Sequence, residues 1–507
     1  MAFGRPAGHV TAKPRLSLAT LGSVPERYRP RADPRALPVR MVHLGPGAFH
    51  RAHQAVYTED AVAASGDEWG ICGITQRSAD VVGQLGPQDG LYSLSERDAS
   101  GSRLRVIGTL REVLWAKEER ERALSRLSDP ATALITLTVT EKGYRRDPAT
   151  GRLLTSAPDV VADLAGRPPE TVVGQLAEGF ARRAQRGSGP VTVLCCDNLP
   201  SNGAALRAVV LEFCERRPDA RHLVDWVAEN VTFPSCVVDR IVPATAPEDR
   251  DRASGELGVE DQGAVVAEPF RQWVIEDLFA AARPAWERAG AVFTTDVAPY
   301  EKAKLRMLNG AHSTIAYLGA LAGEELVSAA VNGAIGEAAR RLMADDVVPT
   351  LTVPDGFDVG LYERQLMGRF ANPALRHRTL QIAMDGSQKL PQRLLGTIAE
   401  RRAQGALPQW ACLGVAAWMR CMSARRSDRG QRLEIEDPVN DRVTEALEGR
   451  EDAASVVPVL LGFGEIFPAG VRDDKVVRDM LVQLVGQLAG QGARRTAQDL
   501  VNGAGLA

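Results

Sequence analysis

The chain has 507 residues, of which 45% are hydrophobic and 25% are charged, a balance typical of globular proteins. Its length exceeds what one ordinary hydrophobic core accommodates, which predicts two large domains. With 61 basic and 64 acidic residues the formal net charge is −3, which argues against the basic surfaces that bind nucleic acids or membranes.

The sequence also argues against a secreted or membrane-spanning protein. No apolar run approaches the roughly 20 residues that a membrane-spanning helix needs, and the first residues lack the apolar segment of a secretory signal. The seven cysteines form no Cys-x-x-Cys pair, and most of them lie within apolar segments. We therefore expect buried, reduced thiols in a cytoplasmic protein.

The predicted elements fall into three regions. Residues 1–37 are rich in proline and arginine, which predicts an arm over the surface, part of it flexible. In 38–298, apolar β-rich segments such as VRMVHLG and PVTVLCC alternate with helical ones, which predicts an α/β fold with a doubly wound parallel sheet. The amphipathic pattern of residues 299–507 predicts a mostly α-helical domain. Its amphipathic segments are 300–322, 326–345, 359–370, 391–404, 410–424 and 474–491.

A glycine-rich turn follows the first predicted strand, Val39 to Leu44. It reads Gly45-Pro46-Gly47-Ala48-Phe49-His50. In a dinucleotide-binding fold the first glycine of such a turn permits a tight bend, and the second lets the backbone approach a pyrophosphate. His50 stands where a third glycine or alanine is expected, so an ordinary strand–turn–helix is the alternative.

Two features near this turn have competing interpretations. Asp80 follows the second predicted strand and could bind the adenine ribose of NAD or cap the next helix, and its spacing favours the cap. His50 and His53 share a face of the predicted first helix at a spacing that suits a metal. No third ligand accompanies them, so a structural or substrate-gating role is favoured over zinc.

The segment YEKAKLRMLNGAHSTIAY (300–317) predicts a helix that starts after Pro299. At about 100° per residue, Glu301, Lys304, Asn309 and His312 share one face of about 140°. An exposed Lys304–Glu301 ion pair is the commoner use of such residues. The asparagine and histidine are mediocre helix formers, however, and the glycine between them (residue 310) costs up to about 1 kcal/mol. A close approach by a cofactor or another backbone would explain that glycine.

These side chains fit hydride transfer to a ketone, which needs a proton donor and a group that stabilises the developing alkoxide. A lysine shielded from water can supply the proton, and a carboxamide can hydrogen-bond the oxyanion without titrating. Asn198, in the run CCDNLP at the end of a predicted strand, would lie at the carboxyl edge of the sheet and is a candidate second amide. An Asx-turn in a loop is an equally good interpretation of Asn198.

From about residue 38 the sequence resembles the polyol-specific long-chain dehydrogenases, the mannitol dehydrogenase family. The resemblance rests on the segments HLGPGAFHRAHQAVYT (43–58), LTVTEKGY (137–144), CDNLPSNG (196–203), ENVTFPSCVVDRIVPAT (229–245), EPFRQWVIED (268–277), KLRMLNGAHS (304–313) and HRTLQIAMDGSQKLPQRLL (377–395). It implies a Rossmann-type N-terminal domain, a helical C-terminal domain, an active site between them, NAD as cofactor and catalysis without a metal.

The resemblance also implies roles for individual residues. Lys304 is the general acid/base, Asn198 and Asn309 hold the oxyanion, and Glu301 is linked to proton movement. Substrate contacts fall on His312 and Lys389. Asp80 selects NAD, which reverses the preference for a helix cap. The expected cofactor contacts are Gly45, Gly47, Ala48, Phe49, Asp80 and Glu141.

Gln381 distinguishes this chain within the family. Mannitol 2-dehydrogenases carry an arginine at that position, eight residues before the substrate lysine, and the surrounding HRTxQIAMDGSQKLPQR resembles the branch that reduces fructuronate to mannonate. A uronate carboxylate needs a cationic partner. The cations that the motifs offer are Arg306, Arg378, Lys389 and Arg393.

Other functions stay open from the sequence. Among dehydrogenases of this kind, the alternative is interconversion of mannitol and fructose, or the reaction of a related polyol. Among other kinds of protein, the alternative is a non-catalytic protein that binds NAD or a sugar. A zinc alcohol dehydrogenase is disfavoured, because the sequence lacks the spacing of zinc ligands. The expected partners are a sugar acid or polyol, with no nucleic acid or membrane, and the resemblance favours a monomer.

Overall fold

The computed structural model describes residues 13–147, 150–354 and 356–503. The chain divides after Val297 into two units, each of which is described by itself. The strands of the described residues all lie in the first unit. They are β1 (Val39–Leu44), β2 (Gly70–Thr75), β3 (Tyr92–Asp98), β4 (Gly101–Ile107), β5 (Leu110–Trp115), β6 (Leu134–Leu137), β7 (Val191–Cys195), β8 (Val231–Thr232), β9 (Cys236–Asp239), β10 (Val265–Ala267), β11 (Gln272–Glu276) and β12 (Val292–Thr294).

The main sheet of the first unit is six-stranded, in the order β5-β2-β1-β6-β7-β8. Neighbouring strands in it are parallel throughout. Its central strands are buried on both faces, as their continuous apolar sequences require. The strand order reverses between β1 and β6, which is where ligands bind in open α/β sheets. The prediction of a doubly wound, Rossmann-type sheet is confirmed.

Helices cover this sheet, and two small mixed sheets, β10-β3-β4 and β12-β11-β9, extend the unit. The helices are α1 (Ala48–Ala52), α2 (Gln54–Ser65), α3 (Asp80–Leu85), α4 (Arg120–Ser128), α5 (Pro158–Leu164), α6 (Val172–Arg186), α7 (Asn202–Cys214), α8 (Ala220–Asn230) and α9 (Pro247–Leu257). All seven cysteines of the chain are buried and free of disulfides, as expected.

The N-terminal segment was predicted to be an arm over the surface, part of it flexible, and its described part is packed against the first unit. Residues 1–12 lie outside the described residues. Within residues 13–37, Leu16 and Val24 are fully buried and pack in one cluster with Leu91, Val106 and Leu257. The Leu16 amide donates to the Glu260 carbonyl at 2.8 Å. Apolar side chains spaced among the prolines therefore anchor this part of the chain.

The second unit is helical, as predicted. It contains α10 (Ala298–Ala303), α11 (Ala311–Leu321), α12 (Val327–Ala330), α13 (Ala334–Arg341), α14 (Val359–Phe370), α15 (Thr379–Ala383), α16 (Gly386–Leu390), α17 (Gly396–Ala403), α18 (Gln409–Ala424), α19 (Asn440–Ala446), α20 (Ala453–Leu461), α21 (Ala469–Arg472), α22 (Lys475–Gln491) and α23 (Ala493–Val501). No helix of the described residues is both long and apolar enough to cross a membrane.

Among the described residues of this unit, three π-helical turns interrupt the helical pattern, at Lys304–Gly310, Leu342–Val347 and Pro391–Leu395. The first joins α10 to α11 in one continuous helix, and α11 is buried along nearly its whole length against α15 and α18. π turns in α-helices occur frequently at functional sites. The first and third of these turns also pack against each other.

Candidate active site

The turn after β1 is held by contacts that only a glycine permits at its first position. Gly45 has φ +94°, in the left-handed region, and a Cβ added there would lie 2.2 Å from the Thr138 carbonyl oxygen. The Thr138 hydroxyl donates to the Gly45 carbonyl at 2.8 Å, and the Gly45 amide donates to the Ile74 carbonyl at 3.0 Å. The turn is therefore fixed between the ends of β2 and β6.

The second glycine of the turn has a different environment. Gly47 is exposed, and a Cβ added there would meet nothing closer than the Gly45 carbonyl at 3.9 Å. The protein itself would accommodate a side chain at this position, so the glycine keeps free a space beside the backbone at the switch point of the sheet. This geometry fits a dinucleotide pyrophosphate, with Ala48 and Phe49 directly following at the start of α1.

The histidines after this turn do not form the helical pair that the sequence predicted. Helix α1 ends at Ala52, and His53 stands at the break before α2, with φ −127° and ψ −86°. His50 stacks on His43 with ring centroids 3.4 Å apart, whereas His53 stacks on Phe49 at 5.0 Å. The prediction that they share a face of one helix is therefore wrong, because His53 lies outside α1, at the break before α2.

Burial keeps the stacked histidines neutral. It lowers the pKa of His43 to about 3 and holds the pKa of His50 well below its usual value. Hydrogen bonds join the His43 ring to the hydroxyls of Thr136, at 2.7 Å, and Thr138, at 2.9 Å. These contacts stabilise the end of β1, directly before the glycine turn. The described residues contain no group of three or more His, Cys, Asp or Glu side chains arranged to hold a metal.

Asp80 lies beyond the end of β2, where a ribose-binding acid is expected. It is exposed and is the first residue of α3. The cap position belongs to Ala79, and the Asp80 amide donates to the Ser78 hydroxyl at 3.0 Å. Asp80 is therefore not the capping residue, and this position fits contact with a ribose.

A half-buried carboxylate connects the segments that follow β6 and β7. Asp197 accepts hydrogen bonds from the amides of Val139 at 2.8 Å and Thr140 at 3.2 Å, and from the Tyr144 hydroxyl at 2.5 Å. Burial raises the pKa of this carboxyl. Sequence reasoning gave Asp197 no role, although it directly precedes the exposed Asn198.

Asn198 and Glu141 share one edge of the sheet with the glycine turn. Asn198 follows β7, and Glu141, which is also exposed, follows β6 and begins a short 3-10 helix, Glu141–Tyr144. Since β1, β6 and β7 are parallel neighbours, their carboxyl ends lie at the same edge. The sheet thus places the proposed oxyanion amide and the proposed cofactor contacts on one side of the first unit.

In the second unit, Lys304 is buried at the first position of the π turn, with 8% of its surface exposed. Asn309 is half-buried on the same turn, and Glu301 and His312 are half-buried in α10 and α11. A π turn hydrogen-bonds residue i to i+5 in place of i+4. The 140° face calculated for a regular α-helix therefore does not apply across this turn.

The close approach expected at Gly310 is made by another backbone. A Cβ added at Gly310 would lie 2.9 Å from the carbonyl oxygen of Arg393, on the π turn Pro391–Leu395. The absence of a side chain thus lets two π turns touch, one carrying Lys304 and Asn309 and the other Arg393. This contact accounts for a helix-weakening residue in the middle of an apolar segment.

Two of the candidate carboxylate-binding cations are engaged elsewhere. Arg306 is buried and forms a two-nitrogen ion pair with Glu400, at 2.6 and 2.9 Å, and also donates to the Thr350 hydroxyl at 2.7 Å. Arg306, followed by Lys302, lowers the pKa of Glu400 to about 2. Arg378 is exposed and lies 3.5 Å from the Glu325 carboxylate. These contacts count against Arg306 and Arg378 as substrate ligands.

His312 lies among aromatic and basic side chains. Its ring stacks on Phe370 with centroids 5.2 Å apart and meets His377 edge-on at 4.8 Å. Burial, followed by nearby basic groups with His377 first, holds the pKa of His312 well below its usual value, so the ring is neutral. Its Nε2 atom is buried and has no hydrogen-bond partner among the described residues. Sequence reasoning missed His377 and Phe370, which come close to His312 only through the packing of α14 and the segment before α15.

The remaining substrate candidates lie in α16 and in the segments on either side of it. Lys389 donates to the carbonyls of Met384 at 2.5 Å and Ile382 at 3.4 Å. Arg393 donates to the hydroxyl of Ser313, the residue next to His312, at 2.9 Å. Gln381, where mannitol 2-dehydrogenases are expected to carry arginine, is exposed on α15.

Comparison with known proteins agrees with this arrangement. Two family profiles match, one described as the mannitol dehydrogenase Rossmann domain over residues 39–288 and one as the mannitol dehydrogenase C-terminal domain over residues 296–489. The chain is 44% identical to an uncharacterized Escherichia coli oxidoreductase, YeiQ, over 92% of this chain and 96% of that protein. It is 40% identical to the D-mannonate oxidoreductase of Escherichia coli, with the same shares covered.

A solved structure extends the similarity to the whole fold. The ternary complex of Pseudomonas fluorescens mannitol 2-dehydrogenase with NAD and D-mannitol matches with a TM-score of 0.85 and 33% identity, covering 96% of this chain and 99% of that one. Taken together, the two profiles span most of the sequence, and each of the three proteins matches more than 90% of it. The chain belongs to the mannitol dehydrogenase family of oxidoreductases.

Proposed function

We propose that this protein is an NAD-dependent, metal-independent reductase that converts fructuronate to mannonate. The observation that carries the proposal is the burial of Lys304 on a π turn that also holds Asn309 and leads to His312. The 40% identity to a D-mannonate oxidoreductase supports the choice of substrate.

The glycine turn and the sheet edge around it suit NAD. Gly45 shapes the turn, Gly47 leaves room for a pyrophosphate, and Ala48, Phe49 and Glu141 lie beside them on the same unit. Asp80 accepts hydrogen bonds from the ribose hydroxyls and disfavours a 2′-phosphate. Bound NADH supplies the hydride that reduces the ketone carbon.

Lys304 supplies the proton in this mechanism. As the ketone oxygen gains negative charge, the ammonium of Lys304 transfers a proton to it and becomes a neutral amine. Asn309 and Asn198 donate hydrogen bonds to the same oxygen, and neither amide can lose a proton in doing so. Glu301, three residues before Lys304, takes up a proton from solvent and passes it to the neutral amine, which restores the ammonium and leaves Glu301 as it began.

Substrate orientation falls to the second unit. The neutral His312 ring and the ammonium of Lys389 hydrogen-bond hydroxyl groups of the open-chain substrate. Gln381 supplies no positive charge where the mannitol 2-dehydrogenases are expected to have one, and this difference favours a substrate other than mannitol.

A comparison of substrates tests the proposal. The purified protein is given NADH with fructuronate, with fructose and with further ketoses and keto-uronates, and oxidation of NADH is followed. We expect the highest kcat/KM with fructuronate and full activity after exhaustive chelation. Equal or better turnover of fructose would favour a mannitol 2-dehydrogenase, and NADH binding without turnover of any ketone would favour a non-catalytic binding protein.

A further inference from the structure

The carboxylate of Asp197 is shared between two segments at the carboxyl edge of the main sheet. One of its oxygens accepts the Val139 amide at 2.8 Å and the Tyr144 hydroxyl at 2.5 Å, and the other accepts the Thr140 amide at 3.2 Å. Both oxygens therefore hold the segment that follows β6, whereas Asp197 itself belongs to the segment that follows β7.

The backbone that this carboxylate holds is strained. Thr140 has φ +67° and ψ 157°, a conformation that is essentially restricted to glycine. Ser201, in the segment after β7, also has a positive φ, +46°. Strained residues persist where the surrounding contacts fix them, and they cluster at functional sites. The hydrogen bonds from the amides of Val139 and Thr140 to Asp197 are contacts of this kind.

We propose that Asp197 is a positioning residue, which holds Asn198 and Glu141 in the arrangement that the ketone oxygen and the cofactor require. The inference rests on the proposed function, in which Asn198 donates to the oxyanion and Glu141 contacts NAD. Asn198 directly follows Asp197, and Glu141 directly follows the strained Thr140. One carboxylate thus constrains the backbone next to both functional side chains.

A second side chain, Asn202, holds the backbone of Asp197 in place. The Asn202 carboxamide donates to the Asp197 carbonyl at 3.2 Å and to the Cys236 carbonyl at 2.8 Å, and it accepts the Cys236 amide at 2.9 Å. Asn202 is buried, and the next residue, Gly203, lies so close to the Phe233 carbonyl oxygen that an added Cβ would be 2.3 Å from it. The segment after β7 is therefore anchored to β9, so the Asp197 carboxylate acts from a fixed position.

Asp197→Asn disrupts this arrangement with little change in size. A carboxamide has one oxygen, whereas the amides of Val139 and Thr140 donate to different oxygens of the carboxylate. In either orientation the NH2 group of the asparagine would face one of these N–H donors. We therefore expect the segment after β6 to shift, and a displacement of about 1 Å at a catalytic group can cost about 100-fold in rate.

A double-mutant cycle separates positioning from a general loss of structure. The full-length variants Asp197→Asn, Asn198→Ala and the double variant are compared by kcat for fructuronate at saturating NADH, with active sites counted by NADH titration. Asn198→Ala should lower kcat by about 100-fold, as does removal of one oxyanion donor. Asp197→Asn should lower kcat by about 10-fold or more in the unaltered chain. It should lower kcat by less than about twofold when residue 198 is already alanine, because it acts through that amide.

The cofactor side is tested by a second cycle that needs no ketone. The Kd for NADH is measured by fluorescence titration for Asp197→Asn, Glu141→Ala and their double variant. Asp197→Asn should raise this Kd by about fivefold or more on its own, the scale of one lost hydrogen bond, and by less than about twofold when Glu141 is already alanine. Tyr144→Phe removes one hydrogen bond and leaves both amide contacts, so its effects should have the same direction and be smaller.

Asp261→Asn is the matched control. Asp261 is a buried carboxylate of the same unit that accepts the amides of Ser93 at 2.7 Å and Gly263 at 2.8 Å, and the Ser93 hydroxyl at 2.6 Å. These contacts lie at the small sheet β10-β3-β4. We expect Asp261→Asn to lower the melting temperature as Asp197→Asn does, while kcat per active site and the Kd for NADH stay within about twofold of the unaltered protein.

The results separate the inference from the proposed function. Additive effects in either cycle would overturn the positioning role, as would losses in Asp261→Asn equal to those in Asp197→Asn, because both would show that the carboxylate only stabilises the fold. If the unaltered protein reduces a ketone other than fructuronate, the kcat cycle is run with that ketone. If it reduces none, the proposed function fails and the NADH cycle alone decides whether Asp197 positions Glu141.

Discussion

A Cβ atom on Gly45 would lie 2.2 Å from the carbonyl oxygen of Thr138, whereas a Cβ on Gly47 would meet nothing nearer than 3.9 Å. The two glycines of one motif thus serve different purposes. Gly45 is required by the fold, since the turn after β1 runs against the residue that follows β6. The fold would accept a side chain at position 47, so we infer that the lack of one at Gly47 makes room for a ligand.

This difference predicts opposite phenotypes for two alanine substitutions. Gly45→Ala should lower the free energy of unfolding by more than about 2 kcal/mol, because it adds both a steric clash and a left-handed alanine. Gly47→Ala should leave the melting temperature of the cofactor-free protein nearly unchanged and raise the Kd for NADH by about tenfold or more. Thermal denaturation and NADH fluorescence titration measure the two effects, and a stable Gly45→Ala variant would contradict this division of roles.

The contact between Gly310 and the Arg393 carbonyl predicts a loss of activity without unfolding. A Cβ at position 310 would lie 2.9 Å from that oxygen, so Gly310→Ala must push the two π turns apart. We expect Gly310→Ala to lower the free energy of unfolding by about 1–3 kcal/mol. We expect kcat to fall by a larger fraction than the free energy of unfolding does, because Lys304 and Asn309 move with the first turn. Gly368→Ala, where an added Cβ meets nothing within 4 Å, is the control and should be stable and active.

Lys304 gives the most direct test of the proton donor. Lys304→Ala should lower kcat for ketone reduction by about 10² or more, the usual scale of general acid catalysis. Lys302→Ala is the matched control, because Lys302 pairs with Glu400 at 2.9 Å and has no part in the mechanism. Steady-state NADH oxidation by the two variants decides the matter, and near-normal turnover in Lys304→Ala would remove the mechanism.

The sequence was most informative where hydrophobic periodicity is regular. The strand Val39–Leu44 and the helix Val359–Phe370 have the bounds that periodicity predicted. The parallel sheet could also be predicted, because its strands are apolar throughout and alternate with helices. The break at His53 could not be predicted, since no proline or glycine marks it.

The site was harder to predict where distant segments meet. The Lys304 motif is local and could be recognised from the sequence. The π turn that carries Lys304 contacts the Arg393 carbonyl at Gly310, and the local sequence does not reveal this contact. Arg306 looked as available as Arg393 because Glu400 lies 94 residues further along the chain. His377 was missed for the converse reason, since its closeness to His312 arises from packing between separate elements.

Asp80 predicts how the enzyme distinguishes its cofactors. The carboxylate is exposed at the start of α3, and in the proposed mode of NAD binding it repels a 2′-phosphate. Asp80→Asn should therefore raise the kcat/KM ratio of NADPH to NADH by about tenfold, the effect of roughly one unfavourable charge contact. The ratio is measured within one protein preparation, which cancels differences in active fraction. An unchanged ratio would place cofactor selection elsewhere.

Asp346 predicts a pH dependence of stability. This buried carboxylate, on the π turn Leu342–Val347, accepts the amides of Trp410 at 2.9 Å and Ala411 at 2.8 Å at the start of α18. Burial outweighs these hydrogen bonds and raises the pKa of Asp346 to about 7 from an ordinary value of 3.8. The folded state therefore favours the protonated acid, and the unfolded chain releases that proton at lower pH.

The sign of the effect follows from this linkage. As pH rises from about 4 to about 7, the unfolded state is stabilised by ionisation before the folded state is, so the stability that Asp346 contributes falls across that window and levels off above it. Asp346→Asn cannot titrate, so the melting temperature of the unaltered protein minus that of the variant should decrease by about 3 °C or more between pH 5 and pH 8. Asp345→Asn, at an exposed neighbouring position, should show no such trend. A difference that stays constant between pH 5 and pH 8 would show that the two amide hydrogen bonds outweigh burial and keep the carboxylate ionised in the folded protein.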